Sequence, residues 1–558
     1  MISRLLARLG GSGSNLVAAG ILLSRIAGVV REIVLSIAFN GAGPVTDAFR
    51  LAMRIPNVLQ NLLGEGALSA SFIPVYARLV EDGEEGEADR LAGAVAGFLT
   101  AATAVIVAVG VLAARPLVAF FSQFDDAEPE LFDLAVTLLR ITTVGVGFLV
   151  LSAWCLGILN SHRSFFLPYV APVLWNGVQI AALVAVVLIG LDVDDIAVAA
   201  AWAVLAGGVA QFAVQVPRVR RLAPHLRFSL RRSPGVDNVL SRFAPAVGAR
   251  GVVQISSFVD TFLAGVLLVF GGLSIYLFAL PLYLLPISLF GFSVAASELA
   301  EMSRRSGNEA MVAERVRPAL RRVILPAGFV AAAYLVAGRP IVDAIYGWPA
   351  RLLDRGFTSA EVTAVSLVLG AFAVGLPASM TARITQNTLY SLGEVRGPAR
   401  IAVVRLVVSV AVAAVAMVQL DWLFVAGEAG TTIERFGDVP HWPPWERVPE
   451  ARRIDDGLGI PHLGAVGLAV GSAVASWVEW VLLRTMLRRR LGIPVRSGWA
   501  RQIAVAAVAA GLVMAVARLL PIPSPVDVVI IVALGAATYL GALWMQGVRR
   551  LAQLASTS

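Results

Sequence analysis

Six polar residues along one segment of the chain could together bind a charged or hydrated group. They follow one another at steps of three or four residues, and such steps keep side chains on one face of an α-helix. The residues are Asp47, Arg50, Arg54, Asn57, Asn61 and Glu65. At ~1.5 Å per residue the segment spans roughly 27 Å, about the thickness of a bilayer's hydrocarbon core. The pattern predicts a membrane helix whose wet face borders a water-filled cavity or a polar substrate.

The opposite face of this segment is apolar and includes Ala48, Leu51 and Ile55. A helix lying flat on the membrane surface also has one polar and one apolar face. The apolar continuation through residues 67–79 favours a spanning helix. Pro56 removes one backbone donor, so a bend is expected at its position.

The first and seventh predicted spans also carry ionisable residues far from their ends. In the first, Ser24 and Arg31 share one helical face, whereas Arg25 and Glu32 share another. Each arginine could face a cavity or form an interhelical ion pair, with Glu32 or an acid of the second span as its partner.

The seventh span repeats this arrangement. Arg250, Gln254, Ser257 and Thr261 form a polar stripe with Asp260 beside it. Asp260 could hold a cation or pair with Arg250, and the sequence does not choose between these roles. Polar residues of later spans lie nearer the helix ends, where snorkelling to the interface is expected. These are Arg383, Gln386, Asn387, Arg405 and Glu479.

The chemistry that these residues indicate is binding rather than catalysis. Most of the charged groups are arginines, and the planar guanidinium donates two hydrogen bonds at once to a phosphate. The chain has one cysteine, four scattered histidines and no lysine, so no metal-ligand cluster or lysine-containing phosphate loop is recognisable. We therefore expect an anionic cargo, no enzymatic activity and no cofactor.

The composition requires a membrane protein. Of 558 residues 58% are hydrophobic and only 15% are charged, which is far from the composition of soluble domains. Fourteen apolar segments of spanning length predict an all-α polytopic fold. They are 14–40, 46–79, 91–120, 131–159, 168–191, 196–216, 237–271, 274–303, 317–346, 359–392, 399–426, 462–487, 501–520 and 525–547.

The distribution of arginine predicts the orientation. The links 218–235 and 487–501 contain six and five arginines, so the positive-inside rule places them and both termini in the cytoplasm. The same rule accounts for the net charge of +8 without nucleic-acid binding.

An internal repeat divides the chain. AARPLV at 113–118 returns as AGRPIV at 337–342, and the second and eighth spans carry prolines in similar places. Because six spans precede the repeat, the two halves should be related by an axis along the membrane normal, with a cavity between them. The predicted parts are an N-terminal lobe (1–217), a basic linker (218–235), a C-terminal lobe (236–490) and two extra helices (491–558).

The longest predicted loop, 427–461, lies in the C-terminal lobe on the extracytoplasmic side. It contains the aromatic run from His441 to Trp445. A lid, a patch at the lipid headgroups and a tolerated insertion are its three alternatives.

Four stretches of the chain resemble the MurJ/MviN family of lipid II flippases, within the multidrug/oligosaccharidyl-lipid/polysaccharide exporter superfamily. They are SRIAGVVRE at 24–32, TDAFRLAMRIPNVLQNLLGEGALSASFIPV at 46–75, FAPAVGARGVVQISSFVD at 243–260 and TLYSLGEVRGPAR at 388–400. The resemblance implies transfer of the lipid-linked peptidoglycan precursor to the outer leaflet of the bacterial cytoplasmic membrane. Alternating access driven by membrane potential or an ion gradient would move it. Cell-wall synthesis proteins are further candidate partners.

The resemblance also implies the positions of the cargo site. It assigns Ser24, Arg25, Arg31, Asp47, Asn57 and Glu65 to a central cavity, where Arg25 and Arg31 would meet the pyrophosphate. The chain departs from the family pattern at Gln60, Pro281 and Leu284, where charged residues are usual. We hypothesise that Arg54 and Arg250 replace the missing positive charge. Asp260 fits an ion-coupling carboxylate, whereas span eleven offers only Ser409 as a polar partner.

Three other functions compete with this one. They are a flippase for another undecaprenyl-linked glycan, an exporter of organic cations and a non-transporting scaffold for cell-wall enzymes. An exporter of organic cations would need an acidic cavity. The sign of the charge on the cavity lining therefore separates it from a flippase for lipid II or for another undecaprenyl-linked glycan.

Overall fold

The long apolar runs become helices because lipid offers backbone groups no hydrogen-bond partners, and a helix satisfies them internally. The computed structural model describes residues 12–63, 68, 71–122, 124, 129–164, 166–292, 309–394, 396–427, 429–437, 440–449, 460–491, 498–519 and 525–546. Seventeen α-helices lie in these ranges. The chain is an all-α polytopic membrane protein.

The first compact unit contains residues 1–40 and 44–266. Its helices are α1 (Ser12–Ala38), α2 (Pro44–Leu63), α3 (Ile73–Glu81), α4 (Glu85–Leu112), α5 (Ala114–Phe121), α6 (Pro129–Ser161), α7 (Phe166–Ile189), α8 (Val193–Leu222) and α9 (Pro234–Leu267). The predicted second span contains the described helices α2 and α3, and the predicted third span is divided between α4 and α5.

The second unit contains residues 41–43 and 267–558. Its helices are α10 (Gly272–Pro286), α11 (Glu309–Val342), α12 (Trp348–Leu353), α13 (Ser359–Ser391), α14 (Arg396–Leu420), α15 (Gly464–Leu491), α16 (Gly498–Ala517) and α17 (Val526–Met545). Helices α10 and α11 continue into π-helical turns, Ile287–Phe292 and Asp343–Gly347.

Fourteen of these helices correspond to the fourteen predicted spans. Within the described residues, eleven are long and apolar enough to cross a membrane by length and composition. The other three are α1, α2 and α9. Helix α2 is less apolar because it carries charged residues of the predicted site.

The division into compact units falls later than the predicted lobe boundary. The sequence placed the second lobe from residue 236, whereas α9 packs with the first unit up to Val266. Aromatic contacts explain this packing, since Phe262 stacks on Phe120 at 5.0 Å and Phe258 contacts Phe121 at 5.6 Å. Whether α9 moves with the second lobe during transport stays a prediction.

The repeated hexapeptide has matching structural surroundings in the two units. Arg115 forms an ion pair with Asp133 in the second turn of α6. The Nε of Arg339 donates to the hydroxyl of Thr363 at 3.1 Å, in the second turn of α13. Each arginine therefore contacts the start of the next spanning helix, as an internal repeat predicts.

A short β-hairpin lies where the predicted extracytoplasmic loop begins. Strands β1 (Leu423–Ala426) and β2 (Thr432–Arg435) pair antiparallel. The aromatic run that follows the hairpin is held to the end of α14, because the side chain of Gln419 donates to the carbonyls of His441 and Pro444, both at 3.0 Å. The described part of the loop is thus ordered against the helices.

Small residues allow α14 and α15 to approach closely. A Cβ atom at Gly467 would overlap the backbone of Ala416 and Met417, and one at Gly471 would lie 2.6 Å from the Cβ of Ala413. Close approach of this kind increases van der Waals contact between membrane helices, where the hydrophobic effect contributes little.

Replacing Gly467 with alanine is expected to destabilise the second unit by about 1–3 kcal/mol, because the backbone of α14 would have to move. Thermal unfolding of the purified protein in detergent measures the effect. Gly370→Ala is the matched control, since nothing lies within 4 Å of a Cβ at that helical position. Equal unfolding temperatures for the two variants would contradict the packing argument.

Candidate functional site

A buried network of three charged residues lies in the first unit. The Nη2 of Arg31 donates to the Oε1 of Glu32 at 2.6 Å. The Nη2 of Arg50 forms an ion pair with the Oε2 of the same carboxylate, also at 2.6 Å. The side chain of Glu32 is only 5% exposed, so its charge requires these two partners. One carboxylate therefore holds two guanidinium groups.

The network joins two helices that otherwise pack against different neighbours. Helix α1 packs mainly on α7, and α2 packs mainly on α6. The α2–α6 contact includes a hydrogen bond from the Thr142 hydroxyl to the carbonyl of Ala52 at 2.7 Å. The ion pair of Glu32 with Arg50 therefore links α1 to α2.

Arg31 has a second contact, with an aromatic ring of α7. Its guanidinium lies 4.9 Å from the ring centroid of Trp175, within the range of a cation–π interaction. The Nε of Arg31 is buried and has no hydrogen-bond partner among the described residues. Arg31 is thus fixed in position by Glu32 and Trp175.

Other predicted residues of α1 and α2 lie earlier in α1 or later in α2 than this network. Ser24, Arg54 and Asn57 are half-buried, and Arg25 is exposed. Glu32 forms its ion pairs with Arg31 and Arg50, and among the described residues neither Arg25 nor Arg54 pairs with it. The interhelical ion pair with Glu32 that was considered for Arg25 is formed by Arg50 instead.

The structure describes the side chains of only some of the remaining predicted residues. Asp47 is buried at 4% exposure in the first turn of α2. Asp260 is half-buried in α9. Glu65 lies outside the described residues, as does the side chain of Arg250. Within the described part of the chain no cluster of His, Cys, Asp and Glu could hold a metal ion.

Sequence reasoning missed the central role of Glu32 and Arg50. Arg50 belongs to the polar stripe of α2, and Glu32 was considered only as a possible partner for the arginines of the first span, not as one carboxylate shared between two helices. The spacing along each helix is compatible with several pairings, so only the packing of α1 beside α2 selects the observed one. Snorkelling is also insufficient for Arg405, whose Nε lies 3.3 Å from the Oε2 of Glu479.

The charge on α1 and α2 is positive. Their described residues include four arginines, Arg25, Arg31, Arg50 and Arg54, against the acids Glu32 and Asp47. An excess of positive charge within spanning helices favours an anionic ligand, because an uncompensated charge is costly at that depth. Fold and charge together define a multi-pass membrane transporter of an anionic molecule.

Comparison with known proteins identifies the family. The model of the lipid II flippase MurJ family matches residues 37–427. The lipid II flippase MurJ of Burkholderia cenocepacia is 28% identical over 545 residues, which cover 94% of this chain and 95% of that protein. The probable lipid II flippase MurJ of Bdellovibrio bacteriovorus is 31% identical, over 75% of this chain and 79% of its own. The chain belongs to the lipid II flippase MurJ family.

Solved structures share the fold. A lipid II flippase MurJ in an inward closed conformation superposes with a TM-score of 0.71 at 20% identity, covering 96% of this chain and all of that one. An inward-facing multidrug resistance transporter of the MATE family has a TM-score of 0.59 at 18% identity, covering 85% of this chain and 96% of its own. The predicted exporter fold is confirmed.

Proposed function

We propose that this chain is a lipid II flippase, which moves the lipid-linked peptidoglycan precursor from the inner to the outer leaflet of the bacterial cytoplasmic membrane. Membership of the MurJ family supports the cargo. The observation that carries the proposal in this chain is the excess of arginine over acid on α1 and α2. A diphosphate is the anionic part of this lipid, and guanidinium groups suit it.

The site residues have separate roles in this proposal. Ser24, Arg25, Arg54 and Asn57 contact the cargo directly, with Glu65 and Arg250 as further candidates. Arg31 contributes positive charge beside the cargo, while Glu32 and Trp175 hold its guanidinium in place. Asp47 supports the start of α2. The charge excess argues against an organic-cation exporter, which would need acids.

Transport is proposed to proceed by alternating access between two lobes, with both termini in the cytoplasm. Membrane potential or an ion gradient would supply the energy, and Asp260 is the candidate coupling carboxylate. A transporter needs no catalytic residues, so the proposal includes no enzymatic step.

Complementation tests the cargo. The chain is expected to restore growth and cell shape to a bacterium depleted of its lipid II flippase, because the arginine-bearing site would accept the same diphosphate lipid. A second strain, lacking a flippase for another undecaprenyl-linked glycan, serves as the specificity control. If a well-expressed and inserted protein rescues only the second strain, the cargo is the other glycan and lipid II is wrong.

A further inference from the structure

A cavity with two arginines in its wall lies in the second unit, away from the site on α1 and α2. Its volume is about 490 Å³, which is within the range of ligand pockets. Residues of α11, α13 and α15 line it, together with Arg518, which directly follows α16. The other arginine is Arg339 of α11, and the remaining lining residues are uncharged. The wall therefore carries positive charge alone.

Both arginines donate hydrogen bonds to neutral oxygens. The Nε of Arg339 donates to the Thr363 hydroxyl at 3.1 Å, and its Nη2 donates to the carbonyl of Ala429 at 2.8 Å. The Nη1 of Arg518 donates to the carbonyl of Val336 at 2.8 Å. Neutral acceptors hold a guanidinium in place but leave its charge unbalanced. Two fixed cations thus face the same cavity.

No carboxylate among the described residues forms an ion pair with either arginine. Asp343 lies one turn after Arg339, but its two carboxylate oxygens accept from Arg351 at 2.6 and 2.8 Å. Positive charge without a counter-ion is costly within spanning helices. An anion from outside the protein would balance it.

The internal repeat shows what this position contains when it is neutralised. Arg115 of the first unit occupies the place in its hexapeptide that Arg339 occupies in the second. Arg115 pairs with Asp133, the fifth residue of α6, whereas Arg339 contacts Thr363, the fifth residue of α13. The first unit therefore supplies its own acid at this place, and the second unit supplies a hydroxyl.

The mouth of the cavity is apolar. Leu335 and Val374 line it and are 55% and 51% exposed, and Leu519, next to Arg518, is 82% exposed. Such side chains on the outside of a spanning helix face acyl chains. A ligand with an anionic head and apolar tails matches both the wall and the mouth.

The depth of the cavity corresponds to the outer leaflet. The positive-inside rule places the link 487–501 in the cytoplasm. Helix α16 begins at this link and has 20 residues, so it is about 30 Å long and carries Arg518 to the other side of the bilayer. The hydrogen bond from Arg518 to Val336 places Arg339, one turn further along α11, at the same level.

We propose that this cavity binds the headgroup of an anionic glycerophospholipid of the outer leaflet, with Arg339 and Arg518 as the phosphate ligands. A guanidinium can donate two hydrogen bonds to phosphate oxygens, and basic pockets between membrane helices are suited to lipid headgroups. The site is separate from the proposed cargo site, so this inference does not depend on the identity of the cargo.

Native mass spectrometry of the purified full-length chain, titrated with phosphatidylglycerol or phosphatidylcholine, tests the site. The wild type is expected to prefer phosphatidylglycerol. Arg518→Gln should weaken binding of phosphatidylglycerol roughly ten-fold or more, because charge-assisted hydrogen bonds are lost. Arg518→Lys should retain part of the affinity, since it keeps the charge. Arg115→Gln is the matched control in the repeat and should bind like the wild type.

A second variant leaves both arginines in place. Gly370 lines the cavity, and nothing lies within 4 Å of a Cβ at its position. Gly370→Leu should therefore fold normally while its side chain occupies space that the headgroup needs. We expect it to weaken binding of phosphatidylglycerol as well, which a merely structural role of the arginines does not predict.

Three outcomes would overturn the inference. One is binding of phosphatidylglycerol by Arg518→Gln and Gly370→Leu that equals that of the wild type. Another is an equal loss in Arg115→Gln, which would indicate general charge attraction. The third is displacement of the lipid by an equimolar amount of glycerol 3-phosphate, which would make the site one for a free anion. Failure of complementation, in contrast, concerns only the proposed flippase function.

Discussion

Replacing Glu32 with alanine is expected to destabilise the first unit by ~3–5 kcal/mol, the usual cost of removing one partner from a buried ion pair. Arg31 and Arg50 would then face each other without the carboxylate that both contact at 2.6 Å. The variant should also lose transport, because Arg31 loses its orientation and the link between α1 and α2 is broken. Thermal unfolding in detergent and complementation measure the two effects.

The matched control is Glu130→Ala, since Glu130 is an exposed acid in the first turn of α6. Surface substitutions of this kind usually change stability by less than about 0.5 kcal/mol. Arg31→Ala should be milder than Glu32→Ala, because Glu32 would keep Arg50. A Glu32→Ala protein as stable as the Glu130→Ala protein would show that the network contributes nothing to the fold.

Arg54→Ala is expected to abolish most transport while leaving the unfolding temperature close to that of the wild type. Arg54 is half-buried on the polar face of α2 and is separate from the Glu32 network. Its loss removes charge-assisted hydrogen bonds to the cargo, which corresponds to a roughly ten- to hundred-fold weaker interaction. Accessibility of lipid II at the outer leaflet measures transport, and circular dichroism measures folding.

Arg78→Ala is the control for Arg54→Ala, because Arg78 is exposed on α3. A second test concerns the hypothesis that Arg54 and Arg250 replace the positive charge missing at Gln60 and Pro281. At least one of Arg54→Ala and Arg250→Ala must impair transport. Full activity in both variants would show that the replacement hypothesis is wrong.

Local sequence patterns predicted most of the fold. The apolar run lengths predicted each of the fourteen long helices, because the bilayer sets both their length and their composition. The break between α4 and α5 was not predicted, since apolar residues continue through it. The hairpin of β1 and β2 was missed as well, because its strands are only four residues long.

The sequence located the candidate site, but it did not predict which of the site's charged residues pair with one another. The three- and four-residue steps from Asp47 to Glu65 determine that these groups share a helical face, and that face is the property of one helix alone. The resemblance of residues 46–75 to the flippase family predicted the cargo that these groups bind.

The tertiary structure decided which arginines are engaged and which stay available. Arg31 and Arg50 share Glu32, and Arg31 also contacts Trp175, far along the chain. Arg25 and Arg54 are outside that network. Helical spacing permits each of these arginines to reach an acid, so the choice depends on which helices become neighbours and which side chains lose their water. Those are properties of long-range packing, which no local period encodes.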